Sequence, residues 1–483
     1  YGLCRKCHGK YDMNDKKLFV LHTGPAFSNG NSHLGHLLNL VLKDMSVKYK
    51  MMDGHKVDLT PGFDCHGLPT ELAVLKKYGK LDKTTLREKC SEMATYYAGE
   101  QTKTLKSFGV LGNWETPYMT MNYEYETKQL EVLYKFLNDG LLFMDERPVY
   151  YSPSSRTVLA EAELEYKNRK DMSAYFTFDA VDGRKLLHWT TQPWTVLGNV
   201  ASCVNPHYKY IDVELDGFTY VVLENKKHLL NGVVVKEYYG RDLEGLEYTN
   251  ELNDNKGRVL CDEFVRDDSG TGLVHLCPGH GEEDYEVCKR NGLVGYDLTD
   301  SAGRLENGLF CLDKGSEYVL DKMGSMLFKK EEYEHSYPHD WRTGGPVYYK
   351  MTEQFFLNLT DLREQALLAL EDVEFSDNRW KNRLVNMLKT RDRWCLSRQR
   401  TWGFPLAVFL KDGKPFYNED VRKHLDKLFK ENGSNVWFDK GENYLLPESY
   451  RDMGLVKCDY TMDVWFDSGV SWYSVVGGQS DVY

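Results

Sequence analysis

With 483 residues, 41% of them apolar and a further 40 glycines, the chain can bury a sizeable core in about three domains, which excludes disordered, collagen-like and fibrous classes. The net charge of −12 argues against general coating of nucleic acid, though not against a local basic surface. No apolar run approaches the roughly 18 residues that cross a bilayer, YGLCRKCHGK opens without a signal-peptide core, and eleven scattered cysteines read as reduced thiols, so a soluble protein without a membrane partner is expected.

In chain order, KKLFVLH (16–22) predicts a buried strand and TGPAFSNGNS (23–32) a glycine-, proline- and asparagine-rich loop. Leu34, Leu37, Leu38, Val41, Leu42 and Met45 then recur as the apolar stripe of a helix starting near Ser32 or His33. A second strand, His55 to Thr60, leads through PGFDCHGLP to a helix at Glu71. Strand, loop, helix, strand is the opening of an α/β fold, a Rossmann-like doubly wound parallel sheet whose ligands sit at the carboxyl ends of the strands. A helical tract is expected from Thr85 to about Gly140, opened by a capping box at Thr85 to Glu88. From about Asp171 to Tyr337, short alternating runs such as KYIDVEL and FTYVVLE predict an inserted β-rich domain. MDVWF (462–466) reads as one more buried strand. The expected segments are 1–150, 151–345 and 346–483, the last with a small second insertion near 411–460. Between Asn378 and Arg400 eight basic residues face a single acid, Asp392; a solvated helix face is the simplest reading.

The string HLGH places His33, Gly35 and His36 where the loop becomes a helix. Exposed amides and the positive dipole end suit phosphate there, two imidazoles one turn apart can donate to phosphoryl oxygens, and Gly35 leaves room for a flat base. A zinc pair or ordinary helix residues remain open on the string alone, although the spacing and the glutamate of a zinc-hydrolase helix are missing.

HTGPAFSNGNSHLGH resembles the signature of class I aminoacyl-tRNA synthetases, and FDCHGLPTE (63–71) resembles its isoleucyl version, with Cys65, His66 and Gly67 as the discriminating residues. The likeness continues through LGNWETPYMTM, SPSSRTVLAEAELEY, WTTQPWT, GTGLVHLCPGHGEEDY, SYPHDWRT, WCLSRQRTWGFP and DVWFDSG, in family order along nearly the whole chain.

That resemblance implies ATP-dependent activation of L-isoleucine to isoleucyl-adenylate, with Mg2+ accompanying the ATP, and transfer to tRNA(Ile). It implies His33 and His36 as the groups that stabilise the reacting phosphorus, with Gly24, Asn29 and Gly35 also on ATP. Asp64, as an ionised carboxylate, would hold the substrate ammonium; Pro25 and Trp465 would line the isoleucine pocket. The insertion would be an editing domain, needed because a pocket for isoleucine still admits valine, with Thr190, Thr191, Asn199, His275 and Asp284 at its site.

Departures from the family pattern are Thr23 for an Asp, Ala26 for a Pro, Phe63 for a Trp, and Gln192 for the third Thr of the editing string. Where some relatives carry two zinc-binding Cys pairs, this chain has Ser152, Ser155, Asp340 and Thr343, so no zinc is expected there; Cys4, Cys7 and His8 lack a visible fourth ligand. The family's later adenylate-binding strand, KMSKS loop and anticodon-binding domain would lie beyond Tyr483, so the chain is expected to be a fragment that does not by itself support normal activation. A truncated paralogue that binds or deacylates mischarged tRNA is the alternative, and metal analysis would test a zinc hydrolase. A monomer is expected, in the mitochondrial matrix or, alternatively, a bacterial-type cytoplasm.

Overall fold

The first strand and the second pair in parallel, Leu18–Val20 against Lys56–Asp58, and the chain between them returns through the helix Leu34–Met52. Further along the same two segments, Ala26–Phe27 lies parallel to Gly62–Asp64, which in turn lies parallel to Tyr118–Met119. This is an α/β arrangement with parallel strands joined by helical crossovers, and the loops after the strands lie at their carboxyl ends. The computed structural model describes residues 17–477, so Cys4, Cys7 and His8 lie outside the described residues. Two units emerge, one from residues up to Met144 and from Phe355 onward, the other from Asp145–Gln354.

In the first unit the helix Leu34–Met52 is rotated from the face its apolar spacing predicts. Leu34, Leu38, Leu42 and Met45 are exposed, while Asp44 and Val47 are buried and Leu37, Leu40 and Val41 are partly buried. Asp44 takes an inward position because its carboxylate accepts from Leu111 N at 2.8 Å and pairs with Lys48; a spacing rule that counts only apolar residues misses such a satisfied acid. The next tract is two helices rather than one, Lys83–Ser107 and Tyr123–Asn138. Asp82, not Thr85, caps the first, its side chain accepting from Thr85 N at 3.0 Å, as expected of an acid that satisfies an open helical amide. The core of this unit packs Leu130, Leu133, Tyr134 and Leu137 against Val421, Leu425, Leu428 and Phe429 of the helix Glu419–Asn432.

MDVWF also differs from expectation. Only Thr461–Met462 is strand; Asp463 accepts from Trp465 N at 3.2 Å and caps the helix Val464–Val476. The basic stretch divides likewise. Asn378–Lys389 is a helix whose residues are all at least partly exposed, but Arg398 is buried and donates to Asp463 Oδ2 at 2.8 Å.

The second unit is dominated by a ten-stranded mixed sheet. Its long ribbon pairs Leu164–Ala180 antiparallel with Leu327–Asp340. Phe176, Phe178, Leu186, Leu187, Val213 and Val222 are fully buried, and the central strands carry runs of consecutive buried positions, so both faces of the sheet are covered there. The residues standing at the zinc-ligand positions meet in one hydrogen-bonded knuckle: Ser152 and Ser155 each donate to Asp340 Oδ2 at 2.7 Å, and Thr343 N donates to Asp340 Oδ1. Among the described residues no helix is long and apolar enough to cross a membrane.

Candidate active site and editing cluster

The HLGH string builds its own scaffold. His33 is the N-cap of Leu34–Met52, its Nδ1 accepting from Gly35 N at 3.0 Å and His36 N at 3.4 Å, while His36 Nδ1 accepts from His33 N at 3.3 Å. The rings stack with centroids 3.8 Å apart. Because both Nδ1 atoms accept, both Nε2 atoms are assigned the proton and remain as donors. Burial and the neighbouring His33 push the His36 pKa below the usual imidazole value, which favours this neutral form. Gly35 is required by the cap: a Cβ there would sit 2.9 Å from His33 Cε1.

A cavity of about 460 Å³ opens beside this cap, lined by Gly24, Pro25, His33, Gly35, His36 and Lys43 among others. Of the residues expected at an activation site, it thus brings together Gly24, Pro25, His33, Gly35 and His36; Asn29, Asp64 and Trp465 are not in its lining. The loop is fixed by Gln101, which reading the motif alone could not single out: its amide donates to Phe27 O at 2.8 Å and Gly30 O at 2.7 Å. Tyr118 supports the opposite wall through its hydroxyl, which donates to Thr23 O at 2.8 Å.

Asp64 lies directly beneath the loop, where its carbonyl oxygen accepts from Ser28 N and Ser28 Oγ, each at 2.9 Å. Its carboxyl is buried and its pKa is raised well above the usual range, by desolvation first and by Asp467 next. Without a cation beside it, the charged form of this carboxyl is disfavoured. Trp465 is 41% exposed on its helix rather than buried in a strand.

The family-like strings converge below this point. His66 Nδ1 lies 2.7 Å from Asp467 Oδ2, Gln129 also bonds Asp467, and Trp402 Nε1 donates to Cys65 O at 2.7 Å. Glu71 Oε2 accepts from Thr401 N at 3.2 Å and Trp402 N at 2.9 Å. Residues more than three hundred positions apart in sequence thus hold the Asp64 strand end.

Within the second unit, hydrogen bonds link two of the editing candidates, Thr190 and His275, through Gln192 and Thr195. Thr190 Oγ1 accepts from Gln192 N at 3.0 Å, Thr195 Oγ1 donates to Gln192 O at 2.8 Å, and Thr195 Oγ1 lies 3.1 Å from His275 Nε2. Asp284, on the helix Glu282–Arg290, accepts from Cys277 N at 2.8 Å, two residues beyond His275. Burial lifts the Asp284 pKa to about 6 and lowers that of His275 to about 4. Thr191 is partly exposed beside Thr190. Asn199 is 1% exposed, and its amide group bonds Ala201 O and the Tyr248 hydroxyl. Thr195 was not singled out by the motif, yet it is the group that contacts His275.

Residues 5–482 match the family of class I tRNA synthetases for I, L, M and V, and the chain belongs to that family. It is 39% identical over 500 residues to an isoleucine--tRNA ligase of Acaryochloris marina (strain MBIC 11017), covering 96% of this chain and 52% of that protein. The ligase of the same name from Latilactobacillus sakei subsp. sakei (strain 23K) is 38% identical over 499 residues, covering 97% and 54%. The chain spans about half the length of the curated relatives it matches. Among solved structures, an Agrobacterium radiobacter K84 LeuRS–tRNA–LeuAMS complex aligns over 98% of this chain and 58% of that one, at 17% identity and a TM-score of 0.43.

Proposed function

We propose that this chain contributes to ATP-dependent activation of L-isoleucine and its transfer to tRNA(Ile), and that its second unit hydrolyses mischarged valine. The observation that carries the first half is the cavity beside the histidine cap: His33, Gly35, His36, Gly24 and Pro25 share it, and among the described residues no aspartate or glutamate lines it. A neutral-to-positive wall receives a nucleotide triphosphate; a carboxylate-lined wall would repel it.

In this reading the Nε2–H groups of His33 and His36 donate to phosphoryl oxygens as charge builds on the α-phosphorus. Isoleucine carboxylate attacks that phosphorus, pyrophosphate leaves, and Mg2+ travels with the ATP as part of the substrate. Asp64 ionises as the substrate ammonium arrives, since an opposite charge offsets its desolvation. Pro25 and Trp465 contact the aliphatic side chain. In the second unit Asp284 receives the ammonium of a misplaced valine and His275 limits the space for isoleucine, with Thr190 and Thr191 toward the acyl bond. The editing domain is assigned to 151–345, and the protein is taken as a monomer of the mitochondrial matrix or a bacterial-type cytoplasm; fractionation of the source cells decides between them.

Deacylation gives the direct test. The chain is expected to hydrolyse valyl-tRNA(Ile) faster than isoleucyl-tRNA(Ile), and Asp284→Asn to remove that preference; equal loss from both would overturn the editing assignment. The second reading, a tRNA deacylase that never activates an amino acid, draws on the placement of Thr190, His275 and Asp284 within the second unit. It predicts deacylation without any binding of an aminoacyl-adenylate analogue.

A further inference from the structure

Lys43 stands out among the cavity residues because its charge is unanswered. His36, Asn39, Leu40 and Lys43 all line the cavity; spaced at i, i+3, i+4 and i+7, they form one face of the helix Leu34–Met52. Seven residues span about 10 Å along a helix axis, and the side chain leans toward the N-terminus, so the ammonium reaches back toward the histidine end.

Its bonding is incomplete. The one hydrogen bond of Lys43 Nζ among the described residues goes to Thr23 Oγ1 at 2.6 Å, and that hydroxyl gives its own proton to Gly24 O at 3.3 Å. Two of the three N–H donors of the ammonium are thus left by the protein. The adjacent carboxylate cannot serve it, because Asp44 is committed to Lys48 and to Leu111 N. Burial lowers the Lys43 pKa; burial first and the ammonium of Lys43 next lower that of His22. A half-buried cation held by a neutral hydroxyl, in a cavity without acids, costs desolvation that an arriving anion repays.

We propose that Lys43 contacts a phosphate group of the bound nucleotide, as an anion-binding residue additional to His33 and His36. The identity of the anion rests on the activation reading above. A free substrate carboxylate offers similar chemistry, and the test separates the two.

Calorimetric titrations of the chain with ATP, adenosine, inorganic pyrophosphate and L-isoleucine would compare wild type with Lys43→Met and Lys43→Arg. Lys43→Met is expected to weaken ATP and pyrophosphate by about tenfold or more while leaving adenosine and isoleucine within about twofold, and Lys43→Arg to retain most of the affinity, as a charge-assisted contact requires. Unchanged ATP and pyrophosphate affinity in Lys43→Met would overturn the proposal, as would an equal loss of adenosine, which reports a collapsed cavity. A loss confined to isoleucine would also overturn it, by placing the amino-acid carboxylate at Lys43. Lysine-dependent binding of pyrophosphate without any binding of adenosine would uphold the anion contact and sink the nucleotide reading instead.

Discussion

Histidines occupy both candidate sites, in opposite circumstances. In the first unit His33 and His36 line a cavity, exposed and partly exposed, with each Nδ1 spent on the helix cap and each Nε2 left as a donor. In the second unit His188, His275 and His280 are buried, and the ring nitrogens of His188 and His280 are taken by Leu186 O with Ser202 Oγ, and by Tyr349 O with Leu298 N. His275 alone of these keeps one nitrogen, Nδ1, without a partner. The comparison teaches that an imidazole becomes available for chemistry when a local backbone feature satisfies one nitrogen and leaves the other, and that full burial converts the same side chain into a neutral structural strut.

The largest expected effect breaks the first unit without touching its cavity. Asp463, 1% exposed, accepts from Arg398 and from Trp394 Nε1, each at 2.8 Å, while capping the Trp465 helix. Asp463→Ala leaves a guanidinium buried without its carboxylate and is expected to cost about 3–5 kcal/mol, read by urea unfolding as an early transition of the first unit, with the second unit unmoved.

Acid should break the second unit. Burial lowers the pKa of His188 to about 3 and those of His275 and His280 to about 4. Each folded value lies below the unfolded value near 6.5, so the stability these groups contribute is full above pH 6.5 and is lost as pH falls toward 4, by about 2 kcal/mol per histidine at pH 5. Asp284 opposes this, since its raised pKa of about 6 makes the fold more stable as pH falls from 6 to 4. The three histidines outweigh the raised carboxyls of Asp284 and Glu282, and thermal melts are expected to shift downward between pH 7 and 5; a flat profile would show that the imidazoles titrate in the fold as they do unfolded.

A smaller effect sharpens the account of the cavity wall. A Cβ at Gly62 would lie 1.9 Å from the Tyr118 ring, so Gly62→Ala must displace the tyrosine whose hydroxyl holds Thr23 O. Overpacking of this kind costs about 1–3 kcal/mol, and ATP affinity should fall with it; an unchanged Tm and unchanged affinity would remove Tyr118 from the wall.

How much of this was legible in the sequence follows from where each site gets its residues. The histidine cap lies within four consecutive residues, and the neighbouring loop and strands have local turn chemistry, so strand, loop and helix were readable together. The convergence of Cys65 with Trp402, of Glu71 with Thr401 and of His66 with Asp467 was not, because no local pattern reports a contact across more than three hundred residues. The stripe of Leu34–Met52 misled for a related reason: Asp44 is buried by partners at Lys48 and Leu111 that periodicity does not see. MDVWF misled because a run of five apolar and acidic residues fits a strand as well as a capped helix, and the Asp463 side chain decides between them. In the second unit, Asn199 matches the expected string while its amide is consumed internally, and Thr195 does the contacting that the string did not disclose.

The most direct measurement of the central claim is a calorimetric titration of this chain with a non-hydrolysable isoleucyl-adenylate analogue, for wild type and His36→Ala. The account predicts saturable binding at one site, weakened about tenfold or more by loss of the His36 donor. Absence of binding by the wild-type chain, or equal binding by both, would contradict it.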